Sequence, residues 1–336
     1  MDKYLLLIYL GAFLISLLLT WVVRHWAIKK SIIDHPNERS SHTIPTPRGG
    51  GLAIAITWFV GLIVLFAYNQ IETNLFWALI AGLPLPFIGF LDDIFSLKPG
   101  IRSLIQLLSA ILGIAILGGL KYLDIGFTTL EWKWIFTPLA VIGIVWAINL
   151  FNFLDGTDGY CSMEAIFISA ALIILIAFSP VLALFIACVA GFLFWNWPKA
   201  KIFMGDVGST LIGYNVAIFA IYYQNEHKLS LIVFLIISAV FWFDATLTLI
   251  RRIRNKEKLS IAHRKHAFQR FVQAGFSHQD LLIGQFIVNL FLLLIAYFCM
   301  LYPTYSLFFL LLSIILIFAP IKFIDKKKPF EFENLK

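Results

Sequence analysis

Five carboxylates and two asparagines stand at the ends of apolar runs in this 336-residue chain, where a membrane protein ordinarily places Lys or Arg. Asp92 and Asp93 close one run and Asp206 opens another. The stretch NLFNFLDGTDGY, residues 149–160, closes a third with Asn149, Asn152, Asp155 and Asp158. Asn149, Asn152 and Asp155 recur at i, i+3 and i+6, which on a helix makes one drifting polar stripe. Gly156 and Gly159 then break the helix and leave Asp155 and Asp158 on a tight turn with no basic neighbour. At a bilayer centre each acid would cost roughly 2.5–3.5 kcal/mol, so five would cost more than about 12 kcal/mol, comparable with a domain's whole stability. They belong at the aqueous edge or on a cation. Oxygen donors, with no cysteine among them and histidine only in a distant loop, favour Mg²⁺ or Mn²⁺ over zinc.

The flanking residues extend that chemistry. Adjacent Asp92 and Asp93 point about 100° apart on a helix. One can ligate a metal or accept a proton while the other positions Lys98 or Arg102. In PKAKIFMGDVGST, 198–210, Gly205 and Gly208 bracket Asp206. A helix start there suits phosphate, and Asp206 suits a bridging magnesium ion; the plainer alternative is a turn capped by Asp206 or Ser209. DHPNERSSHTIPTPRGGG, 34–51, offers Arg39, His42 and Arg48 to phosphate or to anionic lipid, and Gly49–Gly51 let the backbone pass close to something. In the most basic loop, 250–281, the spacing predicts His263 and His266 together on a helix. With Arg264, Lys265 and Arg270 they suit a pyrophosphate; without a third ligand they do not make a zinc site. The alternative is a basic amphipathic helix lying on lipid. Asp244, inside an apolar run, is either functional or a hydrogen-bonding partner for a neighbouring helix. Glu164 receives no role, and the tail 326–336 reads as a solvated terminus.

The elements that must position these groups are membrane helices. The chain is 60% hydrophobic and 13% charged, with mean hydropathy +0.88. The expected fold is an all-α polytopic bundle forming one integral membrane domain, 1–336, with about eleven spans. They fall near 4–23, 51–68, 75–91, 103–120, 134–151, 162–178, 181–197, 209–223, 230–249, 282–301 and 305–321. Of the 26 Lys and Arg, all but Lys3, Lys121, Lys133 and Lys228 then lie on one side. That side is cytoplasmic, with the N-terminus periplasmic and the C-terminus cytoplasmic. The five acids come from three loops on this same side. The net charge of +7 therefore anchors a membrane protein and does not indicate nucleic-acid binding. Cys161, Cys188 and Cys299 are too scattered for a disulfide framework or metal quartet.

DDIFSLKPGIRS, NLFNFLDGTDG, FMGDVGST and HRKHAFQR, in this order, resemble the four cytoplasmic motifs of the polyprenyl-phosphate N-acetylhexosamine-1-phosphate transferases, the membrane family of MraY and WecA. The first loop and HRKHAFQR are most similar to the O-antigen-initiating WbpL branch. The C-terminal motif departs from the denser histidine cluster of the peptidoglycan branch. The resemblance implies an Mg²⁺-dependent transfer of sugar-1-phosphate from a UDP-N-acetylhexosamine to undecaprenyl phosphate at the bacterial inner membrane, with release of UMP. By the same resemblance Asp206, with Asp155, binds the metal, and Asp92 and Asp93 sit where the lipid phosphate is activated. Asn149, Asn152, Asp155 and Asp158 line the nucleotide side, while His263, Arg264 and His266 hold the sugar-phosphate end. The rivals are the muramoyl-pentapeptide transferase and, from another class, an ion-coupled transporter with broken helices near the midplane. A homodimer is the oligomer to test, though no segment marks an interface.

Overall fold

The computed structural model describes residues 3–36, 44–95, 97–258 and 263–330, apart from the side chain of Ile94. It is helical almost throughout, with two short antiparallel hairpins, β1–β2 (Ile33–Asp34, Thr46–Pro47) and β3–β4 (Leu123–Asp124, Thr129–Leu130). Among the described residues six helical segments are long and apolar enough to cross a membrane, or seven with one bent pair, so the chain is a polytopic membrane protein. They include α1 (Lys3–Lys29), α5 (Pro99–Ile116), α6 (Lys133–Leu154), α13 (His278–Leu301) and the combined segment Thr73–Asp93. The sixth runs from Pro303 and contains α14 (Ser306–Lys327). Three further apolar helices are shorter: α2 (Gly51–Ala67), α7 (Tyr160–Ile176) and α8 (Pro180–Asn196).

The core surrounds α9 (Asp206–Asn225), whose residues from Val207 to Asn225 are all buried. It packs on α6, α2 and the two pieces of the third expected span, α3 (Thr73–Ile80) and α4 (Pro84–Phe95). The Tyr214 hydroxyl donates to Ala78 O at 2.6 Å, fixing the helix in mid-bundle. At its far end Asn225 donates to Gly119 O at 2.7 Å and accepts from the Lys121 amide at 3.0 Å. The middle and the far end of α9 are thereby held, and Asp206 is its first residue.

Two expectations are corrected. The ninth span is not one helix: α10 (Leu231–Ile237) and α11 (Ala239–Arg254) meet at Ser238 with an 83° bend. The Ser238 hydroxyl donates back to Phe234 O at 2.8 Å, closing α10, and α11 leaves with three arginines in its last turn. The tail is also not wholly solvated, because α14 runs to Lys327 and Phe330 is buried.

Candidate active site

Two loops that flank α9 and α2 are sewn together first. The Gly50 and Gly51 amides donate to Phe203 O and Met204 O, each at 2.9 Å, and the Phe203 amide donates to Pro47 O at 2.8 Å. A Cβ on Gly51 would strike the Gly208 backbone, so this approach requires glycine. The Gly49–Gly51 run therefore passes close to the loop that delivers Asp206.

The acids at the end of α4 diverge as helical geometry demands. Asp92 Oδ2 accepts from Arg102 Nη1 at 2.6 Å, and Oδ1 accepts from the Leu97 amide at 2.8 Å. Asp93, its side chain 4% exposed, places Oδ1 3.5 Å from Arg48 Nε. Its Oδ2 is buried with no hydrogen-bond partner among the described residues. Gly205 has φ +73°, and a Cβ there would come within 2.6 Å of that oxygen.

Asp206 is the first residue of α9, and its carboxylate reaches outward. Oδ2 lies 2.5 Å from Arg102 Nη2, while Oδ1 accepts from Asn152 Nδ2 at 2.9 Å. Arg102 thus bridges two of the predicted acids from different loops. The expectation that Asp206 or Ser209 caps α9 fails. Gly205 occupies the cap position without a side-chain bond, and Ser209 Oγ donates to Gly205 O while accepting from Asn152 at 3.1 Å.

The polar stripe on α6 divides between two partners. Asn152 enters the acid centre, whereas Asn149 donates to Gln106 Oε1 at 2.9 Å. Asp155 lies beyond the helix end, as the glycines foretold, in the largely buried 155–159 turn. Burial first, and then the charges of Asp206 and Asp93, push its carboxyl well above the ordinary carboxylate range. A bound cation would reverse that penalty. Asp158 faces different groups: Oδ2 accepts from the Ala200 amide at 3.1 Å and lies 3.1 Å from His278 Nδ1. No described bond joins it to Arg48 or Arg102. Lys98 is exposed at the cap of α5 and enters none of the described ion pairs.

Donor chemistry and geometry together test the metal. Among the described residues no three acids, histidines or cysteines form a complete metal-binding group. Magnesium, however, is ordinarily held by one or two carboxylates together with phosphate oxygens and water. Oxygen donors from Asp155 and Asp206, beside the partnerless Asp93 Oδ2, fit that incomplete cage and do not fit zinc.

The basic loop is built differently. His263 and His266 do not share a helix, because α12 (Ala267–Gln273) begins after them; their rings nevertheless meet at 4.9 Å. Burial, each with neighbouring positive charge, lowers both to about 3, so both are neutral at pH 7. No described bond ties either ring to the five acids. Arg264 O accepts from Gln273 Nε2 at 2.8 Å. Lys265 and Arg270, expected to meet pyrophosphate, engage Glu257 at 2.9 Å and Asp325 at 2.7 Å. Asp244 accepts from the Ala267 amide at 2.8 and 3.0 Å and from the Phe268 amide at 3.4 Å, so it caps α12. Phe268 then stacks on Tyr160 at 4.9 Å and sits beside Gly156, joining this loop to the 155–159 turn. Arg39 and His42 lie outside the described residues.

The sequence reading missed His278 and Glu164. SHQD ahead of an apolar run is a capping-box signal that places His278 in the first turn of α13. Glu164 is buried in α7 and accepts from Gln285 at 2.8 Å and Asn289 at 2.7 Å. Two amides four apart in an apolar run were the available sign.

Comparison with known proteins gives the lineage. Residues 75–224 match the profile of glycosyl transferase family 4. The chain is 34% identical over 282 residues to a probable undecaprenyl-phosphate N-acetylglucosaminyl 1-phosphate transferase of Bacillus subtilis, covering 80% of this chain and 78% of that one. It is 31% identical over 289 residues to an undecaprenyl-phosphate alpha-N-acetylglucosaminyl 1-phosphate transferase of Yersinia pestis, covering 80% and 77%. The protein of the same description from Escherichia coli K12 is 30% identical over 292 residues, covering 81% and 77%. By this profile match and these identities over four-fifths of its length, the chain belongs to glycosyl transferase family 4.

Proposed function

We propose that this protein transfers N-acetylglucosaminyl 1-phosphate from UDP-N-acetylglucosamine to undecaprenyl phosphate, releasing UMP and initiating a cell-surface polysaccharide. The observation that carries the reading is Arg102 held between Asp92 and Asp206, with Asp93 Oδ2 beside them lacking a hydrogen-bond partner among the described residues. This pairs an anion-holding guanidinium with oxygen donors suited to a hard cation. The names of the bacterial relatives support the two substrates. Family membership replaces the transporter expectation; the bent pair α10–α11 belongs to a transferase. The resemblance to the WbpL branch is a reason to test other N-acetylhexosamines beside glucosamine.

The chemistry is the meeting of two anions. A phosphate oxygen of the lipid attacks the phosphorus that bears the sugar, the bond to the bridging oxygen breaks, and UMP leaves with that oxygen. The lipid phosphate is already ionised near pH 7, so no strong base is required. Arg102, Arg48 and Lys98 reduce the repulsion between the phosphates. Asp206 and Asp155 would hold Mg²⁺, or Mn²⁺ in its place; when bound, the ion supplies charge neutralisation at the pyrophosphate. Asp92 orients Arg102, and Asp93 faces the attacking phosphate. Asn152, Asn149 and Asp158 shape the nucleotide side, and His263, Arg264 and His266 the sugar-phosphate side. An apolar cavity of about 520 Å³, lined by Ile144, Ala147, Phe151, Ala217, Ala220 and Phe241 among others, supports a role in receiving prenyl units.

In this reading the helices make about eleven crossings of the bacterial inner membrane, with α3–α4 and α10–α11 each counted once. The N-terminus is periplasmic, and the site opens to the cytoplasm. The test uses purified protein, undecaprenyl phosphate, Mg²⁺ and a panel of UDP-N-acetyl sugars, with UMP release as the signal. Chelator-sensitive release with UDP-N-acetylglucosamine is expected. Release with another sugar alone would reassign the donor, and none with any sugar would sink the proposal.

A further inference from the structure

The C-terminal segment makes contacts that neither the sequence reading nor the proposed chemistry uses. Asp325 accepts from Arg251 through both oxygens, at 3.0 and 2.8 Å, and from Arg270 Nη1 at 2.7 Å. Arg270 Nη1 also donates to Lys328 O at 2.9 Å. Beyond it the Phe330 ring, 9% exposed, receives three cations: Arg251 at 5.3 Å, Arg270 at 5.6 Å and Lys265 at 5.8 Å from its centroid. The same three cations are paired with acids as well: Arg251 and Arg270 share Asp325, and Lys265 engages Glu257.

What they hold is α12, whose seven residues are too few to be a stable helix in isolation. Asp244 fixes its first turn, and Arg270 ties its last turn to Asp325 and Phe330. Between these ends Phe268 stacks on Tyr160 and lies against Gly156. A continuous line of contacts therefore runs from the C-terminal segment through α12 to the turn bearing Asp155 and Asp158.

We propose that Asp325 and Phe330 form a strap that positions α12 and, through Phe268, the 155–159 turn for the nucleotide sugar. The strap residues touch no reacting atom; they are positioning residues, and their kinetic effect rests on the transferase reading given above. Removal of the ring weakens the hold on α12 and affects donor binding more than the lipid acceptor. Phe330→Leu keeps an apolar side chain and loses the cation–π contacts, whereas Phe330→Tyr retains them.

The experiment compares the parent protein with Phe330→Leu, Phe330→Tyr and Asp325→Asn, all in nanodiscs. Hydrogen exchange of residues 263–273 is read beside steady-state kinetics. The inference expects Phe330→Leu and Asp325→Asn to lose protection there. Their KM for the UDP-sugar should rise about tenfold, with the acceptor KM and kcat changed less than about threefold. Phe330→Tyr should behave as the parent. Parent-like exchange in Phe330→Leu and Asp325→Asn would overturn the strap, as would an equal loss in Phe330→Tyr. Exchange needs no substrate, so absence of UMP release from the parent would fault the transferase reading while leaving the strap to be judged by exchange.

Discussion

The acid centre around Asp206 and the basic loop from Arg251 to Arg270 are both dense in charge, yet they are built to opposite ends. In the basic loop Arg251 and Arg270 share Asp325, while Arg252 and Lys265 share Glu257. At the acid centre Arg102 is divided between Asp92 and Asp206, and Asp93 keeps a buried oxygen without a hydrogen-bond partner among the described residues. Charges that are matched within the protein make structure. A group of acids with too few cations stores a demand that a ligand can meet. Charge density alone did not distinguish the two regions; the partners did.

The comparison can be broken at its strongest point. Asp206→Asn should reduce Mg²⁺-dependent UMP release by about 10³-fold or more, while expression and helix content match the parent. Near-parent turnover would remove Asp206 from the proposed metal set. Arg102→Gln should cost about 10²-fold, because it leaves Asp92 and Asp206 facing one another and strips a phosphate-holding donor pair. Assays at saturating donor and acceptor would reveal a kcat loss; recovery to the parent rate at saturation would mean that Arg102 serves ground-state binding alone.

A smaller effect sharpens the other side. His263 and His266 are lowered by burial from 6.5 to about 3 in the folded protein, so the unfolded chain binds more protons between those values. Stability should therefore fall as pH drops from about 6.5 towards 3, and replacing both with Asn should flatten that decline. Thermal unfolding followed across pH 4–7, about half a unit apart, checks this. An identical slope in the double variant would show that the acid lability arises elsewhere.

Much of the acid centre was legible because its signals are local. Glycines at 156 and 159 ended α6 as expected, adjacent Asp92 and Asp93 diverged as a helix requires, and Gly49–Gly51 met a close backbone. The rest depended on tertiary partners. Whether Asn149 joined Asn152 was decided by Gln106 on another helix. His263 and His266 kept helical spacing but not helical backbone, because Asp244 caps α12 only from Ala267 onward. The break at Ser238 lies inside an otherwise apolar run, residues 231–243, where hydropathy carries no mark of direction. Asp244 itself resolved as a helix cap, one of the two readings its sequence position allowed.

The burial of α9 has a consequence for how the enzyme comes into being. The helix is long enough to span a bilayer but is not among the segments apolar enough to do so on composition alone. In the proposed eleven-crossing arrangement, its neighbours shield it from lipid, so its residence in the membrane depends on their assembly around it. Asp206 rides on its first residue. A bundle that has not closed around α9 has therefore not brought Asp206 to Asn152 and Arg102, so the acid centre is a product of assembly and not of any one helix.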